Sequence, residues 1–212
     1  MKLNYQKSTR QKSSGFTLVE LLVVIAIIAV LAALATPMIM KAMVKTRILA
    51  ATNICTSLGS AVDRFENDYS YLPFDPDDQS DDDYELKSNA EPGPSPIMAV
   101  LVGVEDEVNF KKIAYFTLDD PKGASGTYKD GMLVDKQGKT AELYDPWGGP
   151  YYMIFDYGLD DEIEHPFETP TKQLHGKKVL IYSSGPDGSE KGQPTSSSTA
   201  KELKLIPSNF LK

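Results

Sequence analysis

Residues 16–40 read FTLVELLVVIAIIAVLAALATPMIM, twenty-five residues in which Glu20 is the only charge and 21–40 carry none. As a helix rising about 1.5 Å per residue, this run would extend roughly 37 Å, enough to cross a hydrocarbon core of about 30 Å with some tilt. The basic leader, with Lys2, Lys7, Arg10 and Lys12 and no acid in residues 1–15, points to a cytoplasmic N-terminus. Lys41, Lys45 and Arg47 follow the run and narrow that margin. A cleaved secretory signal ending at Ala33-Leu34-Ala35 is the rival reading. Against it stand the length of the apolar run, the acid five residues past Gly15, and the lack of a polar cleavage region.

A carboxylate near the bilayer interior costs about 2.5–3.5 kcal/mol on insertion scales, so Glu20 needs compensation. It can reach the headgroups from a turn inside the boundary, or a cation from another chain can neutralise it. A free α-amine at a newly made N-terminus would be such a cation. Past the span, Ile48, Ala51, Cys55, Leu58, Val62, Phe65 and Tyr69 recur at alternating steps of three and four, the stripe of an amphipathic helix. No Gly-Pro cluster interrupts 38–68, and Pro37 removes one donor, which bends a helix without ending it. One long bent helix over about 17–69 is therefore expected, apolar all round over 16–40 and one-faced over 41–70.

Residues 75–85 hold seven acids in eleven positions, and a Pro/Gly/Ser-rich stretch at 90–96 follows. Both read as solvated loop within a variable region over 71–130, where short helices are expected at 97–103 and 107–116. Residues 132–134 and 141–144 flank a turn at 136–139, and 151–155 and 178–182 are further strand-like runs. A C-terminal region over 131–212 should thus form a small antiparallel sheet, covered by the stripe of 48–69. The fold class is α+β, with Trp147 burying its indole at the edge of that interface.

The single Cys55 excludes an internal disulfide and reads as a small buried apolar side chain. His165 and His175 show no ligand spacing and read as surface loop residues. No phosphate-binding glycine loop, HExxH, GxSxG or Ser/His/Asp pattern is present, which argues against an enzyme. Residues 41–212 carry 18 basic against 29 acidic residues, so nucleic acid is not an expected partner.

Lys12-Ser13-Ser14-Gly15-Phe16-Thr17-Leu18-Val19-Glu20, followed by the apolar run, resembles the processing signature of type IV pilins and type II secretion pseudopilins. The resemblance implies that a prepilin peptidase cuts between Gly15 and Phe16 and that a methyltransferase modifies the new N-terminal Phe16. Glu20 would be the assembly carboxylate that pairs with a neighbour's amine. Pro37, twenty-second from Phe16, matches the family's kinking proline. Asp145-Pro146-Trp147-Gly148-Gly149-Pro150-Tyr151 and Ser183-Ser184-Gly185-Pro186-Asp187-Gly188 look like the C-terminal signature of the type II secretion protein G group, the major pseudopilins.

That group carries a Ca2+ site in its C-terminal loop. Here the Ser184 carbonyl and Asp187 match it, and Ser189, Glu190 or an acid from Asp156, Asp160 and Asp161 would have to complete a shell of six to eight oxygens. The family's downstream aspartates have no counterpart, and a plain glycine-rich turn is the competing reading. The resemblance further implies a homo-oligomeric filament with related minor pseudopilins, an inner-membrane assembly platform, and membrane lipid around the span before assembly. The subunit would be a single-pass inner-membrane protein with a periplasmic C-terminal domain. A type IV pilus subunit, for adhesion, motility or DNA uptake, shares the N-terminal signature and remains the alternative.

Overall fold

The computed structural model describes residues 15–74, 84–88, 96–156, 158, 160–164, 173–183 and 185. Its element order is a helix, α1 (Leu18–Tyr69), a strand, β1 (Tyr84–Lys87), a short helix, α2 (Pro96–Val102), and six strands. These are β2 (Gly131–Asp135), β3 (Thr140–Tyr144), β4 (Tyr151–Phe155), β5 (Glu162–Glu164), β6 (Gln173–His175) and β7 (Val179–Ser183). The α+β class expected from the sequence is what forms. The chain divides into two compact units, Met1–Val44 and Lys45–Lys212.

In the first unit the described residues from Leu18 onward are helical, and every one of them is exposed. Pro37 lies inside α1 and does not end it. Among the described residues, α1 is the one helix long and apolar enough to cross a membrane, with a mean hydropathy of 3.0 in its most apolar window.

In the second unit the stripe on α1 does what its spacing predicts. Ala51, Cys55, Leu58, Val62 and Phe65 are buried, and Ile48 and Tyr69 are half-buried at its ends. Phe65 stacks on Tyr69 at 4.4 Å between centroids and meets Tyr71 and Tyr115 edge-on. The helix stops at Ser70, whose φ of 64° is left-handed and whose N–H donates to the Glu66 carbonyl at 2.7 Å.

The central sheet is antiparallel in the order β1-β4-β7. Because strand side chains alternate between faces, Tyr151, Met153, Phe155, Val179 and Ile181 join the core with the α1 stripe. Tyr152, Ile154, Leu180 and Tyr182 form a second core with Ile163 of β5 and Leu174 of β6. Every residue of β4 and β7 is consequently buried. The sequence indicated one covered face; the second is covered by a β5–β6 hairpin from the 157–177 stretch.

Two further differences have local causes. The edge strand β1 begins inside the stretch 75–85 read as loop, so Tyr84 and Glu85 are strand. The helix expected at 107–116 does not form, because side chains capture the backbone groups it would need. The Glu105 carboxylate accepts from the N–H groups of Glu107 and Val108, and buried Asn109 donates to the carbonyls of Val100 at 2.7 Å and Ile113 at 2.8 Å. The expected helix at 97–103 is α2, which ends at Gly103. There φ is +78°, and a Cβ would sit 3.0 Å from the Ile113 backbone.

The β2–β3 hairpin pairs Gly131 with Tyr144 through Asp135 with Thr140. Buried Ser88 ties it to the central sheet. Its Oγ donates to the Leu143 carbonyl at 2.7 Å and accepts the Tyr151 N–H at 2.8 Å.

Candidate processing and assembly site

Gly15 and Phe16 precede α1 and are exposed, Phe16 to 75%. Among the described residues, a Cβ built on Gly15 meets nothing within 4 Å. Packing against the described residues therefore does not require glycine there.

The helix then opens with a capping box. The Thr17 N–H and hydroxyl donate to Glu20 Oε2 at 2.8 and 2.7 Å, and Thr17 Oγ1 accepts the Glu20 N–H at 3.2 Å. Both bonds to the carboxylate end on one oxygen, and among the described residues Oε1 takes none. Part of the compensation that Glu20 needs in an apolar segment comes from its own chain, one turn back. Sequence reasoning looked to another chain for this and missed Thr17, although Thr-x-x-Glu before an apolar run is itself the signal. Farther along, Thr36, the residue before Pro37, donates its hydroxyl to the Ala32 carbonyl at 2.8 Å.

In the second unit the two C-terminal strings of the sequence meet at a buried carboxylate. Asp145 is fully buried. Its Oδ1 accepts the N–H groups of Trp147, Gly148 and Gly149 at 2.8–2.9 Å, and its Oδ2 accepts the Ser183 hydroxyl at 2.6 Å. Ser183 Oγ in turn accepts the Gly185 N–H at 3.1 Å. Gly148 fits because its φ is +100° and a Cβ would lie 3.0 Å from the Tyr128 carbonyl.

Burial pushes the Asp145 carboxyl above its ordinary range, and its donors, Ser183 first, pull the other way. Burial, then the Asp145 charge, pushes the Cys55 thiol up, so this buried cysteine is not a reactive thiolate. Trp147 is half-buried against the core. Asp145 was not singled out from the sequence, yet Asp followed by Pro-x-Gly-Gly is an Asx-turn composition that could have found it.

Of the residues named for Ca2+, Ser184, Asp187, Ser189 and Glu190 lie outside the described residues. Among the described residues, no cluster of three or more His, Cys, Asp or Glu could hold a metal. The Asp156 carboxylate instead accepts the N–H groups of Asp160 and Asp161 at 3.1 and 2.9 Å, and Asp160 accepts that of Glu162. His175 is exposed on β6 with Nδ1 3.3 Å from Glu162, and His165 lies outside the described residues.

The family described as the prokaryotic N-terminal methylation motif matches residues 10–36, a stretch that contains Gly15, Phe16, Thr17 and Glu20. Neither a comparison with curated proteins nor one with solved structures finds a match. The motif supports a type IV pilin-like prepilin, a precursor processed at its N-terminus.

Proposed function

We propose that the chain is the structural subunit of a type II secretion pseudopilus. A prepilin peptidase cuts it after Gly15, and a methyltransferase modifies Phe16. The subunit waits in the inner membrane with its C-terminal domain in the periplasm. It then enters a filament of identical subunits and related minor pseudopilins on an inner-membrane assembly platform. The chain is a substrate of two enzymes, and its own work is mechanical: subunits added from the membrane lengthen a filament that pushes folded cargo outward.

The observation that carries the reading is the spacing of Gly15, Phe16 and Glu20 ahead of the charge-free apolar run 21–40. With Oε2 engaged by Thr17, Oε1 of Glu20 is left to accept a neighbour's N-terminal amine, which would set subunit register. Exchange of lipid for identical helices would cover the exposed apolar surface of 18–44 in the filament. The secretion branch is favoured by the strings 145–151 and 183–188, whose first residues meet in the Asp145–Ser183 hydrogen bond. A type IV pilus subunit is the second reading, favoured by the motif over 10–36, which serves both. Ca2+ at Ser184 and Asp187, with Ser189 or Glu190, belongs to the secretion reading.

Glu20→Gln tests the assembly role, since the amide still accepts from Thr17 but carries no charge for an amine. Co-expressed with the assembly machinery, the wild type should give sedimentable filaments and the variant membrane-bound monomers. Filaments from Glu20→Gln at the wild-type level would overturn the pairing. Loss of exoprotein release on deletion of the protein selects the secretion branch, and loss of surface pili selects the other.

A further inference from the structure

Between Glu20 and Asp63 the chain carries no acid, and its only charges are Lys41, Lys45 and Arg47. All three stand on the continuous helix α1, directly after the charge-free run, and all three are exposed. Among the described residues none of them forms an ion pair. At 3.6 residues per turn, Lys45 and Arg47 lie roughly 160° apart round the helix. Before assembly, lipid headgroups surround such a helix and meet cations on opposite faces of it. Residues 48–212 hold 15 basic against 29 acidic residues, so the chain after Arg47 offers an anionic surface no general attraction.

We infer that Lys41, Lys45 and Arg47 form a cationic collar that binds the phosphates of anionic phospholipids where the span leaves the bilayer. Their aliphatic stems lie along the last apolar turns and their charged heads reach the headgroups. This rests on the membrane-resident stage of the reading above and adds a lipid preference to it. The collar also limits how far the helix slides through the bilayer, because drawing it inward would desolvate three cations.

The test is reconstitution of the full chain into vesicles of phosphatidylcholine alone or mixed with phosphatidylglycerol, followed by native mass spectrometry of the lipids each protein retains. The wild type should retain phosphatidylglycerol in preference to phosphatidylcholine. Each of Lys41→Gln, Lys45→Gln and Arg47→Gln should lower that preference by roughly fivefold, and high salt should weaken it. Glutamine keeps helix propensity close to that of Lys and Arg, and the leader's cations are common to all variants. Equal retention of the two lipids by the wild type, or an undiminished preference in the triple variant, would overturn the collar. So would cross-links from 41–47 to acidic residues of a second copy without lipid preference, which would assign the cations to the filament. Failure of the chain to enter either vesicle would instead overturn the membrane reading beneath it.

Discussion

Two carboxylates show how one residue type serves opposite ends of the exposure scale. Asp145 is buried with four donors, and its raised pKa says that the charge is a cost while the acceptor geometry is the gain. Asp145→Asn can still accept from the three amides but takes the acceptor from the buried Ser183 hydroxyl, so it should cost about 1–2 kcal/mol. Asp145→Ala removes the side-chain acceptor of four donors, the buried Ser183 hydroxyl and three half-buried amides, and should cost about 3 kcal/mol or more. Chemical denaturation of the two variants checks this, and an Asn variant as damaged as the Ala variant would show that the charge matters.

Asp106 is a surface group held between Lys139 and Lys112, the latter at 3.0 Å. Those hydrogen bonds, Lys139 first, lower its pKa to about 2. The folded value lies below the ordinary one of about 3.9, so whatever the cluster contributes to stability is present above about pH 4 and is lost as pH falls toward 2. An NMR titration of the carboxyl carbon should find the low midpoint in the wild type and a return toward the ordinary value in Lys139→Met. An ordinary midpoint in the wild type would contradict the cluster.

At the level of elements, legibility followed the length of the periodic signal. The α1 stripe runs through seven positions, and the β2–β3 hairpin carries two apolar runs around a Lys136-Gln137-Gly138-Lys139 turn, so both could be read from the sequence. Strands β5 and β6 are three residues long and contribute one buried apolar residue each, Ile163 and Leu174, too little for a period of two to declare itself. β1 was hidden by the acids around it, and the 105–116 segment by side chains of Glu105 and Asn109 that satisfy backbone groups locally. The short hairpin still matters to the fold, because it closes the sheet face on which Tyr152 and Tyr182 stack at 5.0 Å. Ile163→Ala should therefore cost about 2–4 kcal/mol in denaturation, as for a core residue. A loss of a few tenths would show that the hairpin only rests on the sheet.

The whole molecule joins an apolar helical segment to an α+β domain built on the continuation of that helix. Gly15, Phe16 and Glu20 stand in a single contiguous string, so their spacing could be read from the sequence and carries the proposal. The Thr17–Glu20 capping box and the Asp145–Ser183 hydrogen bond were less legible. The first was overlooked beside the assembly role proposed for Glu20, and the second joins residues 38 positions apart.

The most direct measurement is the mass of the mature N-terminus after co-expression with a prepilin peptidase and its methyltransferase, with Gly15→Ala as the control. The expected product begins at a methylated Phe16. Gly15→Ala should stay uncut while its domain folds normally, since none of the described residues crowds that position. A product that begins at Thr36, or a wild-type chain that remains whole, would contradict the prepilin reading.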